Sequence, residues 1–200
     1  MASRPDSAPA PAPSGRLAGA RVRLAAMTEA DLPAVAAWRE DVGAQRLLDA
    51  AAAMPRSPAE LGRWLAERQA RTDGFVFAVR PVGCEALLGY VEIDGILWPH
   101  RVGWVSLLIG DRAQWGRGYG GEALALALWF AFAELNLMRV QLTVFADNER
   151  AIRLYERMAF RREGVFRSFL ERDGRRQDML LYGLLRPEWE ASRQDRGPGA

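Results

Sequence analysis

The chain has 200 residues and a formal net charge of +2, from 27 basic residues, all of them arginine, against 25 acidic ones. That length favours one domain with a substantial core, and no apolar run approaches the ~20 residues that a membrane-spanning helix needs. A single cysteine, Cys84, and a single histidine, His100, exclude a disulfide framework, a cysteine-cluster metal site and a His-rich zinc or di-iron centre. The arginines are scattered among carboxylates rather than clustered with aromatics, so they mark no nucleic-acid footprint.

The opening MASRPDSAPAPAPSG alternates Ala and Pro without apolar periodicity and reads as a disordered leader over residues 1–15. It lacks the continuous apolar stretch of a secretory signal. One compact domain is expected over 16–191, followed by a polar, flexible tail over 192–200. Within the domain, Ala20–Ala26 alternates as a strand, and Thr28 with Asp31 caps a first helix carrying Leu32, Val35, Ala36 and Trp38 at helical spacing. Ser57-Pro58 opens a second helix with Leu61, Trp64 and Leu65 on one face.

Phe75–Arg80 and Ala86–Asp94 form a hairpin across Pro81-Val82-Gly83. Val102–Ile109 is a largely apolar strand, which implies burial on both faces. A glycine-rich turn and a long apolar helix, Glu122–Leu135, follow. Arg139–Phe145 is a strand, and Asp147 or Asn148 caps a helix reaching about Met158. Phe166–Leu170 and Asp178–Leu184 flank Arg172-Asp173-Gly174, a strong hairpin signal. The expected fold is mixed α/β.

The stretch IGDRAQWGRGYGGE, Ile109–Glu122, carries the chemistry. Gly116, Gly118, Gly120 and Gly121 lie between a strand and a helix start, where bare backbone lets a phosphate approach. Successive N–H groups and the positive end of the helix dipole make an anion cradle, and Arg117 adds a cation. A Walker A loop is excluded because it needs a lysine. Gly116, Gly118 and Gly121 match G-x-G-x-x-G, with Asp147 beyond the next strand. However, six residues separate the strand from Gly116, where a dinucleotide fold turns at once. A nicotinamide-dependent oxidoreductase is therefore a remote alternative.

The run WVSLLIGDRAQWGRGYGGEALALALWFAF, followed by LNLMRVQLTVFADNERAIRLYERMAF, resembles the acyl-CoA-binding half of the GNAT N-acetyltransferases. The likeness is greatest to the branch of ribosomal-protein N-terminal and spermidine acetyltransferases, and it extends through the terminal strands to about Leu185. It implies a mixed, mostly antiparallel sheet, splayed at the cofactor site and flanked by helices. It further implies that acetyl-CoA is the co-substrate, with pantetheine beside the backbone of Leu108, Ile109 and Gly110. An N–H near Leu108 would polarise the thioester carbonyl. The diphosphate would lie on the amides of Trp115, Gly116, Arg117, Gly118, Tyr119, Gly120 and Gly121. Asn148 would bond pantetheine, or else only cap its helix. Tyr155 would protonate the leaving thiolate, and it shares a helix face with Asn148.

Two positions depart from the family pattern. Trp115 stands where the glycine loop often begins with Gln or Arg. Val105 stands where related polyamine enzymes carry a Glu, and no carboxylate lies between Val102 and Ile109. Glu92 on the preceding strand is then the first candidate general base, Asp94 the second and His100 the third. The acceptor-facing residues are expected among Trp38, Arg39, Trp64, Trp98 and His100. The resemblance implies an N-acetyltransferase of the cytoplasm acting on a primary amine, either a peptide α-amine or a small molecule. No metal, nucleic acid or membrane is implied, and homodimers are common among such proteins. A non-catalytic acyl-CoA-binding or regulatory domain is the alternative that the missing strand carboxylate keeps open.

Overall fold

The computed structural model describes residues 17–194; the expected leader, 1–15, lies outside them. Seven strands form one open sheet in the order β1-β2-β3-β4-β5-β7-β6. They are β1 (Val22–Ala26), β2 (Phe75–Pro81), β3 (Gly89–Leu97), β4 (Val102–Ile109), β5 (Arg139–Phe145), β6 (Arg161–Arg172) and β7 (Arg175–Leu185). Every pairing is antiparallel except β4 with β5. That arrangement matches the expected mixed sheet and excludes the doubly wound parallel sheet of a dinucleotide fold.

The hairpins form where the turn chemistry puts them. Asp173 and Gly174 both take positive φ, 51° and 71°, as a two-residue type I′ turn requires. Six helices cover the sheet: α1 (Leu32–Arg39), α2 (Val42–Leu48), α3 (Pro58–Gln69), α4 (Tyr119–Trp129), α5 (Glu149–Arg157) and α6 (Arg186–Gln194). The caps read from the sequence are present. Ser57 and Glu60 bond each other's backbone N–H at the start of α3, and the Asp31 carboxylate accepts the Thr28 N–H at 2.8 Å. Both Asp31 carboxylate oxygens also accept from Arg80 Nη2 at 2.8 Å in a buried ion pair, tying the start of α1 to β2.

Two cores result. On one face α4 buries Ala123, Leu124, Ala127 and Leu128 against Val91, Ile93, Val105 and Val140. On the other, α1 and α3 bury Val35, Leu61, Trp64 and Leu65 against Ala78 and Tyr90. The long apolar helix starts earlier than its pattern implies, at Tyr119, so Gly120 and Gly121 stand in its first turn. It finishes as a π-helical turn, Phe130–Glu134. Two helices were not expected. α2 buries only Ala44, and α6 extends through Ser192 to Gln194, anchored by Trp189 against Phe132 with ring centroids 5.0 Å apart.

The feature that positions the site is the join between β4 and β5. Their register holds for three rows, Val102–Arg139, Gly103–Val140 and Trp104–Gln141, and stops. Beyond Trp104 the two strands diverge, leaving one edge of β4 open. Among the described residues no helix is long and apolar enough to cross a membrane.

Candidate active site

The opening between β4 and β5 is the root of a cleft of about 1310 Å³, bounded by the start of α4, one face of α5 and the end of α2. Backbone direction decides which β4 peptides face it. In an antiparallel ladder, hydrogen-bonded and non-bonded pairs alternate. Gly110 donates its N–H to Leu88 across β3, 2.9 Å, and Arg101 accepts from Met138 and Arg139 on the β5 side. A Cβ built on Gly89 would meet the Leu108 carbonyl at 1.9 Å, which places that carbonyl toward β3 as well. Even-numbered β4 peptides therefore bond β3, and odd-numbered ones face the opening. This corrects the expected donor: the Leu108 N–H is turned to β3, while the N–H groups of Leu107 and Ile109 lie on the open edge.

The glycine loop forms as its residues require. Gly116 and Gly118 take φ of 76° and 86°, a left-handed conformation that costs other residues ~1–2 kcal/mol. Gly118 caps α4, so the Tyr119, Gly120 and Gly121 N–H groups head the helix without intrahelical acceptors. The Glu122 carboxylate, also on the cleft, is engaged by the N–H groups of Arg21 and Val22 at 2.8 and 3.2 Å. Positive charge collects around these amides. Arg21 donates to the Arg117 carbonyl at 2.8 Å. Arg150 lies with its guanidinium carbon 3.4 Å from the centre of the Trp115 ring. Burial, and then the neighbouring Arg112, depress the proton affinity of Arg150. Fixed amides, a helix dipole and a crowded cation are features that favour an anion.

Trp115, Gly116, Gly118, Tyr119, Gly120, Gly121, Asn148 and Tyr155 all line this cleft with Leu108 and Ile109, but the expected Trp115 amide is taken by the Arg112 carbonyl at 3.0 Å and is not free for a phosphate. Arg117 does not, and contributes its carbonyl to Arg21. Gly110 does not either. Its amide is held by Leu88, and a Cβ there would meet the Trp38 ring at 1.9 Å. Asn148 caps α5 by accepting the Ala151 N–H at 3.2 Å and donates to the Leu47 carbonyl at 3.4 Å. Its amide thus joins α5 to α2 at the cleft wall. Tyr155 is buried edge-on against Phe160, and burial pushes its phenol up to about 12. It stays protonated at any physiological pH.

A second cavity, of about 220 Å³, lies under α1–α3 and meets the cleft at Ala44, Leu48, Asp49, Ser106 and Leu108. Glu92 is here, directly across the β3–β4 ladder from Ser106. It is 6% exposed and accepts from Arg68 Nε at 2.6 Å. Burial raises its pKa, and the Arg68 charge and hydrogen bond oppose that rise. Asp94 lines the same cavity, 3.7 Å from Arg71 Nη1. Trp38, Arg39 and Trp64 line it as well. His100 and Trp98 do not: both are exposed in the turn between β3 and β4, where the Trp98 indole N–H donates to the Thr72 carbonyl at 3.0 Å.

Three participants were not anticipated from the sequence. Arg150 carried a signal, since a cation in the first turn of a helix opposes the dipole unless an anion is to bind there. Arg68 pairs with Glu92 across 24 positions, and the α2 segment carries little local pattern. Among the described residues no group of three or more His, Cys, Asp or Glu could hold a metal ion.

An opened parallel pair, a glycine-headed helix and a buried tyrosine share one cleft. Residues 21–161 match the family described as the acetyltransferase (GNAT) domain, and the chain belongs to that family. It is 35% identical over 136 residues to the SPbeta prophage-derived uncharacterized N-acetyltransferase YokL of Bacillus subtilis, covering 68% of this chain and 75% of YokL. It is 31% identical over 103 residues to the spermidine N(1)-acetyltransferase of Vibrio cholerae, covering 52% and 59%. The match spans about half the length of two other Bacillus relatives, 56% of YoaA and 44% of p20. The fold is that of the Vibrio cholerae spermidine N-acetyltransferase crystallised with CoA and spermine, with a TM-score of 0.77 at 24% identity, covering 84% of this chain and 98% of that one.

Proposed function

We propose that this chain transfers the acetyl group of acetyl-CoA to a primary amine by direct attack. One observation carries the reading: the open β4 edge, the amides heading α4 and the buried Tyr155 phenol line a single cleft. The diphosphate lies on the amides from Gly116 to Gly121 with Arg150 beside them, and the pantetheine runs along β4 as a partial strand. The amine enters from the cavity under α1–α3, in agreement with the sharing of Ser106 and Leu108 between the two spaces.

The chemistry balances within these residues. An ammonium with a pKa near 10 must lose a proton before it can attack. Glu92, its proton affinity raised by burial, takes that proton directly or through water. The nitrogen lone pair adds to the thioester carbonyl, whose oxygen gains charge beside the Leu107 or Ile109 N–H. One such donor is typically worth ~2.7–4 kcal/mol in the transition state. The nitrogen sheds its second proton as the C–S bond breaks, and the departing thiolate takes up a proton through Tyr155, which that shed proton replaces, so that the products are the amide and the free thiol. The reading takes acetyl-CoA as the co-substrate and the cytoplasm as the compartment, in keeping with the family matched by residues 21–161.

Thiol release from acetyl-CoA over a panel of amines, with the product identified by mass spectrometry, tests the reading. Acetylated product with the intact chain supports it. Acetyl-CoA binding without thiol release across the panel would overturn it in favour of a non-catalytic acyl-CoA-binding domain.

A further inference from the structure

The cavity under α1–α3 carries charge of both signs, and each carboxylate there already has a partner. Glu92 is held by Arg68 and Asp94 lies beside Arg71. The Asp49 carboxylate accepts the Ala51 N–H at 2.9 Å. Arg68 is satisfied too, by Glu92 and by the Trp64 ring 4.7 Å from its guanidinium carbon. Arg39, the last residue of α1, stands apart. It lines the cavity, yet its Nε is buried with no hydrogen-bond partner among the described residues. Burial also lowers its proton affinity more than any neighbour restores it. A buried guanidinium N–H without an acceptor is costly, and the ligand whose geometry matches the fork it belongs to is a planar oxyanion.

We propose that the acceptor is a compact amine bearing its own carboxylate, of the amino-acid type, with the carboxylate on Arg39 and the nitrogen presented toward Glu92 and the end of β4 at Leu108. The inference rests on the acetyl-transfer reading and narrows its acceptor. A polyamine would bring further cations beside Arg39 and Arg68, a like-charge juxtaposition that discriminates against it. A peptide N-terminus with an uncharged first residue supplies no anion at that distance. Trp38, Trp64 and Tyr90 supply apolar walls for a small side chain.

The experiment compares free amino acids with their amides, with spermidine and with short peptides, all by thiol release from acetyl-CoA. Free amino acids should exceed their own amides in kcat/KM by at least about tenfold, the scale of one hydrogen-bonded charge pair. Arg39→Met should bring that ratio close to one through a rise in KM for the acids, and Arg39→Lys should restore part of it. The wild-type ratio decides the matter even if Arg39→Met does not fold. Equal rates for acids and amides, or a preference for spermidine, would overturn the inference while leaving acetyl transfer intact. No thiol release with any amine would overturn both.

Discussion

The indole N–H of Trp115 donates to the Ile109 carbonyl at 2.7 Å, so the glycine loop is fastened to the last peptide of β4. By the ladder alternation, that carbonyl belongs to the open edge. Trp115 therefore ends the stretch of strand left for a ligand and sets the loop in register with it. Trp115→Phe keeps the ring under Arg150 and loses the bond. Leaving a part-buried carbonyl unpaired costs ~1–3 kcal/mol. The expected result is a KM for acetyl-CoA raised about tenfold with a small fall in kcat, measured by steady-state kinetics.

Gly116 and Gly118 should separate fold from cofactor binding when compared with Gly83. All three take positive φ, and a Cβ at Gly83 or Gly116 meets nothing within 4 Å. Alanine at any of them costs ~1–2 kcal/mol in backbone strain. Gly83 lies in the β2–β3 turn, away from the cleft, so Gly83→Ala should lower only the melting temperature. Gly116→Ala should also weaken acetyl-CoA binding, and Gly118→Ala more so, because its Cβ would stand 2.6 Å from Arg21 Nη1. Calorimetric titration beside thermal melts distinguishes the two effects.

Tyr155→Phe should lower kcat by about 10²-fold, the lower range for a positioned acid, with little change in acetyl-CoA affinity. Because burial lifts the phenol to about 12, the wild-type kcat profile should show no descending limb from this residue between pH 6 and 10. A limb near the ordinary tyrosine value that vanishes in the Phe variant would contradict the buried environment.

Glu92 acts as a base only when ionised, so kcat/KM should fall as pH drops through its folded-state pKa. Burial raises that pKa above the ordinary carboxylate value and Arg68 opposes the rise. The acid limb should therefore lie above the usual carboxylate range, and Arg68→Met should move it further toward alkaline pH. Glu92→Gln should abolish the limb and lower kcat by about 10²-fold. Identical profiles in all three proteins would remove Glu92 from the mechanism.

Much of this arrangement was readable in local pattern. The strands alternate, Ser57 and Asn148 cap helices, Asp173-Gly174 turns a hairpin, and the glycines mark the amide cradle. What escaped is held by distant parts of the chain. α2 is short and fully buries only Ala44, yet Asp41 at its start pairs with Arg112, and Arg46 donates two bonds to Asp173 at 2.8 and 3.1 Å. Arg172 reaches the carbonyls of Arg46 and Asp49. Those partners lie 71 to 127 positions away, beyond any periodicity. The same holds for the parity of β4: whether Leu108 or its neighbours face the cleft depends on which residue of β3 it meets. Gly110 likewise belongs to the wall beside Trp38, because α1 packs there.

With only three rows joining β4 to β5, the sheet is two smaller ribbons that share a short seam. A pantetheine arm threaded along the loose edge would knit them together, as a missing eighth thread does in cloth. Loading with coenzyme A should consequently stiffen strands it never touches, and amide hydrogens in β3 and β7 should exchange more slowly in the loaded protein.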